Sequence, residues 1–207
     1  MKKVILGTVL LLTAAVVVLG QQKAQPKKFA LFAIDEKCVC VATQKQPKTL
    51  TVTETKVGNS LYQVFSSRTT PGRELFRVEV GKVTGSGTLK WWHYGIVEES
   101  DFNGDSLTDY SWYGGDDTTS DMYLFLSTGG KYQRVDVLKT VQSAWRHRFH
   151  QTAPDLGDSG GNYGLGDCSL ERSEKGIILL ASVEPSKLNG ASGPTYQFRI
   201  PEADFVP

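Results

Sequence analysis

The chain has 207 residues, with 23 Lys+Arg against 22 Asp+Glu. That balance gives no support for nucleic-acid binding, which leaves a basic electrostatic footprint. The 187 residues after Gly20 suit one domain or two small ones, and they suffice to bury a real core without covalent staples.

Met1-Lys2-Lys3 is followed by an apolar run from Val4 to Leu19. A short basic region followed by an apolar one reads as a secretory signal peptide over residues 1–20, cleaved after Gly20. The chain is therefore expected to be secreted or periplasmic. The competing reading is an uncleaved membrane anchor, although the run is short for a spanning helix. Residues 21–28 are polar and read as a disordered lead-in. Residues 29–207 read as a single β domain.

Strand signals dominate from there. Phe29 to Ile34 is apolar, and Thr49 to Val57 alternates Thr and Val with charge. Leu61 to Ser66 and Glu74 to Val83 are β-branched or aromatic with polar alternation. Thr70-Pro71-Gly72-Arg73 and Gly85-Ser86-Gly87 are turns. Leu89 to Val97 is aromatic-rich, and Tyr110 to Tyr113 and Met122 to Leu126 follow. In the last of these, Met122, Leu124 and Leu126 line one face while Tyr123 and Phe125 line the other. A strand apolar on both faces belongs inside a sheet or sandwich. Gly129-Gly130 turns the chain into Tyr132 to Leu138.

Between Lys139 and His150, Trp145, His147 and Phe149 alternate with Arg146, Arg148 and His150. That favours a strand, with a short helix from Val137 as the alternative. Residues 151–169 read as a Gly/Asp-rich loop. Gly176 to Val183 and Thr195 to Ile200 read as strands, and Pro201 to Pro207 as irregular. The fold class that follows is all-β: antiparallel sheets forming a sandwich or an incomplete propeller-like array.

Chemistry concentrates at Asp101-Phe102-Asn103-Gly104-Asp105-Ser106-Leu107-Thr108-Asp109. Oxygen-bearing side chains stand at positions 1, 3, 5 and 9 of this run, and the Leu107 carbonyl is at position 7. Calcium takes six to eight oxygen ligands at about 2.3–2.6 Å, and a turning loop with alternating Asp and Asn can wrap one. Eight acids and no Lys or Arg lie between Glu98 and Asp121. Such a cluster repels itself unless a cation or solvent screens it.

The run, with its flanks, resembles the D-x-N-G-D-G-x-x-D loop of FG-GAP/VCBS-type repeats, the calcium-binding blades of integrin-α-like propellers. Tyr110-Ser111-Trp112-Tyr113 is similar to that family's strand after the loop. Tyr123 to Tyr132 is similar to its next strand and Gly turn. The resemblance spans residues 94–138. It implies a calcium ion held by Asp101, Asn103, Asp105, the Leu107 carbonyl and Asp109. Ser106 stands where the family has Gly, so a positive φ there would be disfavoured for this chain. Only one good copy of the repeat is present, so either the other blades are degenerate or one calcium hairpin is set in another β fold, and the second is the preferred reading.

Other motifs carry less. Gly157-Asp158-Ser159-Gly160-Gly161 resembles the segment around the nucleophile of chymotrypsin-like proteases, with His93 as base and Asp101 or Asp109 as the orienting acid. The Cys of that family shortly before the Ser is missing. His147 and His150 could share a metal on a helix but not on a strand. Trp91, Trp92 and Trp112 suit either sugar stacking or a core, and cores use aromatics more often. A disulfide from Cys38 or Cys40 to Cys168 is compatible with export, and burial of unpaired thiols is the other reading. The sequence thus points to an exported, calcium-binding, non-catalytic binding or adhesion module. Its partner would be a protein or carbohydrate. A secreted hydrolase with a nucleophile near Ser159 is the alternative.

Overall fold

A computed structural model describes residues 47–84, 89–115 and 119–207. The expected signal peptide, the lead-in, the strand at 29–34, Cys38, Cys40 and the turn at 85–87 lie outside the described residues. So do Asp116 and Asp117 of the acidic run.

The described residues are mostly antiparallel strand, as expected. Strands β1 (Leu50–Val57), β2 (Ser60–Ser67), β3 (Glu74–Val83) and β4 (Leu89–Trp92) form one four-stranded meander. Strands β5 (Tyr94–Ser100), β6 (Asp109–Gly115), β7 (Ser120–Ser127) and β8 (Tyr132–Asp136) form a second. Helix α1 (Val137–Phe149) follows. Strands β9 (Tyr163–Ser173), β10 (Gly176–Pro185) and β11 (Tyr196–Pro201) form a three-stranded sheet with β10 at its centre. The aromatic run from Leu89 to Val97 is split at His93, where the chain passes from the first sheet to the second.

The second sheet is packed on both faces. Phe125, Tyr110 and Trp112 join Phe65, Phe76, Val78 and Val80 of the first sheet in one core. Met122, Leu124 and Leu126 join α1 and the third sheet in the other. The division of β7 between two faces is thus as its sequence reads. Phe76 stacks between Phe65 and Phe125, at ring-centroid distances of 4.7 and 4.0 Å. Offset aromatic pairs of this kind contribute about 0.5–1.5 kcal/mol beyond the area they bury.

The strand expected over Lys139 to His150 is instead helix. Asp136 caps it, Oδ1 accepting from the Lys139 N–H at 3.0 Å. Val137, Val141 and Trp145 fall four apart and are buried together, with Leu138 beside them. Trp145 and Phe149 also meet at i and i+4, centroids 4.7 Å apart, so their spacing satisfies both periods. His147 lies on the exposed side. Arg146, His147 and Arg148 complement the dipole in the last turn.

The loop expected over 151–169 ends early, because β9 begins at Tyr163. Cys168 and Leu170 pair with Ala181 and Leu179 of β10. This pairing overrides the weak strand propensity of Gly164 and Gly166. A Cβ on Gly166 would come within 2.4 Å of Ser182 Oγ, so the close approach itself calls for glycine. Cys168 is buried, with its thiol pushed up to about 12 by loss of solvation. The tail, expected to be irregular, holds one short 3-10 helix, Glu202–Asp204.

Candidate functional site

The acidic run forms the connection between β5 and β6, whose register closes with Ser100 opposite Asp109. Two residues in it hold left-handed backbone, Gly104 at φ 75° and Ser106 at φ 67°. Position 6 therefore does require the conformation that favours glycine, and Ser106 occupies it at a cost.

The side-chain oxygens at positions 1, 3 and 5 turn inward onto the loop's own backbone. Asp101 accepts from the N–H of Asp105 at 2.9 Å and of Ser106 at 3.0 Å. Asn103 Oδ1 accepts from the same Asp105 N–H at 3.0 Å. Asp105 Oδ1 accepts from the Leu107 N–H at 2.8 Å, and its Oδ2 from Asn103 Nδ2 at 3.1 Å. Asp101 and Asn103 are thus brought within reach of one point by a shared donor. Arg172, on β9, places Nη1 3.8 Å from Asp105 Oδ2. A groove of about 360 Å³ runs from Asn103 and Asp105 past Ser127 and Thr128 to Arg172 and Glu202.

Asp109 differs from the other three. It is fully buried, and its two oxygens take three backbone donors. Oδ2 accepts from Phe102 at 3.0 Å and Asn103 at 3.3 Å, and Oδ1 from Ser127 at 2.7 Å. Burial raises its carboxyl to about 6, with the charge of Asp105 adding to the rise and the three N–H donors opposing it.

The donors suit a hard cation by type. An ionised carboxylate has about four lone-pair sites, and each of these oxygens accepts only one or two N–H bonds. Among the described residues, no three His, Cys, Asp or Glu side chains are grouped so as to hold an ion by themselves. An ion here would have to draw on the Asn103 amide, the Leu107 carbonyl and water as well.

His93 lies at the other end of the β5–β6 hairpin, beside the pair Tyr94 and Gly115. At about 3.4 Å per residue that is roughly 20 Å from the acidic loop. The carboxylate beside it is Asp121, whose Oδ2 lies 3.1 Å from His93 Nδ1. Asp101 and Asp109, the acids expected to serve it, are occupied in the distant loop. The hydroxyl 3.3 Å from His93 Nε2 is that of Thr119. The segment around Ser159 forms a tight turn, in which the N–H groups of Gly160 and Gly161 are spent on Asp158. Sequence reasoning missed Thr119 and Asp121. Their spacing of two on an extended chain, which puts both on one face, is the one signal they carry.

His147 lies in α1 and His150 caps it with φ 53°. No metal-holding group involves them among the described residues. Trp112 is fully buried and donates through Nε1 to Gln63 Oε1 at 3.1 Å, which places it in the core and removes it from any sugar platform. Comparison of the chain with family models, curated proteins and solved structures gave no match.

Proposed function

We propose that this is an exported calcium-binding β domain, built around one FG-GAP/VCBS-like hairpin at 94–138. The ion is structural: it neutralises the acidic loop and fixes the β5–β6 connection, leaving the domain to bind a protein or carbohydrate partner. The observation that carries this reading is the convergence of Asp101, Asn103 and Asp105 on the interior of one loop, with lone pairs to spare. Asp101, Asn103 and Asp105, with the Leu107 carbonyl and water, are the ligands, and Asp109 either joins them or anchors them from beneath. Export rests on the signal features of residues 1–20 and supplies the calcium-rich surroundings a weak site needs. Extracellular modules bind calcium at about 10⁻⁴–10⁻³ M, and binding to the folded form alone stabilises it by mass action.

Terbium luminescence tests the reading. Tyr110 and Trp112 follow the loop directly on β6 and can sensitise a lanthanide held there. Emission should rise to saturation, fall when calcium competes, and be lost in Asp105→Ala. Absent emission, or emission unchanged in that variant, would remove the site.

A further inference from the structure

We propose that Thr119, His93 and Asp121 form a second, chemically active site, in which a base-activated hydroxyl takes acyl groups from small activated esters. The site goes beyond the calcium loop and does not depend on it, since it lies at the opposite end of the hairpin.

The geometry has the order nucleophile, base, orienting acid. Thr119 Oγ1 stands 3.3 Å from His93 Nε2, and His93 Nδ1 stands 3.1 Å from Asp121 Oδ2. A carboxylate on Nδ1 favours the tautomer with its proton there, which leaves the Nε2 lone pair facing the hydroxyl. The imidazole is held rather than loose. His93 is 8% exposed, and its backbone N–H donates to Val80 O at 2.7 Å. Thr119, by contrast, is exposed, so an ester can reach it.

The Gly-Asp-Ser-Gly-Gly segment acquires a role here that differs from its expected one. Thr119 bridges Asp158, and the Ser120 N–H donates to Gly157 O at 2.8 Å. A Cβ on Gly157 would come within 2.5 Å of Ser120 O. Glycine there lets the segment lie against residues 119 and 120, holding the backbone that carries the hydroxyl. The segment is the wall of the site, and Thr119 is the nucleophile.

The reaction balances with water as the only co-reactant. Thr119 Oγ attacks the ester carbonyl carbon as its proton passes to His93 Nε2. The carbon–oxygen bond to the leaving alcohol breaks, and that alcohol leaves with the proton from His93. Water then attacks the acyl-threonine, its proton passing to His93 and on to Thr119 Oγ as the acid departs. Thr119 and His93 are the catalytic residues, and Asp121 is a positioning residue.

The test is p-nitrophenyl acetate with the full chain, quenched in acid, with the acetyl group located by peptide mass spectrometry. The expected result is acetyl on Thr119, absent in Thr119→Val and retained in Thr119→Ser and Ser159→Ala. His93→Gln should slow p-nitrophenolate release by about 10²-fold or more, the usual scale of general-base catalysis. Asp121→Asn should slow it with KM unchanged, and Asp121→Glu should restore part of the loss, which a purely structural role would not produce. Acetyl found only on lysines, on His93 or on Ser159, or release unchanged in Thr119→Val, would overturn the proposal.

Discussion

Asp109 Oδ1 accepts the backbone N–H of Ser127 at 2.7 Å, fastening the first residue of β6 to the last residue of β7. Its other oxygen takes the N–H groups of Phe102 and Asn103. One buried carboxylate therefore links the start of the acidic loop, its end and the neighbouring strand. Asp109→Asn keeps the shape but turns an amide donor toward backbone donors. We expect it to destabilise the calcium-free protein by about 1–3 kcal/mol, the cost of leaving buried donors unpaired. Urea unfolding in EDTA measures it.

The same residue sets a pH dependence. Its carboxyl is raised in the folded chain to about 6, against about 3.9 for an unfolded Asp. Between those values the folded form holds more protons than the unfolded one. Stability of the calcium-free protein therefore falls as pH rises from about 4 to 6, by at most about 3 kcal/mol. A calcium ion bound at the loop as proposed would favour the ionised form and flatten the slope, and Asp109→Asn should abolish it. Unfolding curves across this range, with EDTA and with calcium, give the answer.

Ser106 holds φ 67°. A side chain in the left-handed region costs about 1–2 kcal/mol, which glycine avoids, although glycine loses more entropy on folding. Ser106→Gly should therefore stabilise by about 0.5–1 kcal/mol and tighten calcium binding. A melting temperature equal to or below that of the parent would mean the loop is not strained at this residue.

Gly95 faces the indole of Trp112 so closely that a Cβ would sit 1.9 Å from its ring. Trp112 is itself fully buried between two sheets and held by Gln63, so it cannot yield. Gly95→Ala should cost about 3 kcal/mol or more, the upper range for overpacking, and chemical denaturation should show it. A loss below about 1 kcal/mol would mean the indole moves freely.

Cys168 is buried, and its thiol is raised to about 12. The thiolate is the reactive form, so Cys168 should resist iodoacetamide in the native protein and react once urea unfolds it. Rapid native labelling at Cys168, mapped by mass spectrometry, would contradict its burial.

The sequence was legible where one signal acted alone. The two-faced pattern of Met122 to Leu126 located a strand packed on both sides, because alternation survives any sheet arrangement. The spacing from Asp101 to Asp109 located the loop, because its turn is built from its own residues. The signal weakened where two periods coincided, as at Trp145 and Phe149, whose spacing fits both strand and helix. There Asp136 decided, capping a helix that side-chain alternation hid. It failed where the partner is remote. Nothing near His93 names Asp121, and nothing in Gly164 to Cys168 announces the β10 edge that makes it a strand.

The calcium ion proposed for the 101–109 loop is open to a direct binding measurement. Calcium titration by isothermal calorimetry on the EDTA-stripped full chain tests it most directly. One site with a dissociation constant of about 10⁻⁴–10⁻³ M is expected, abolished in Asp101→Ala and in Asp105→Ala. No binding at millimolar calcium, or binding that survives both substitutions, would contradict it.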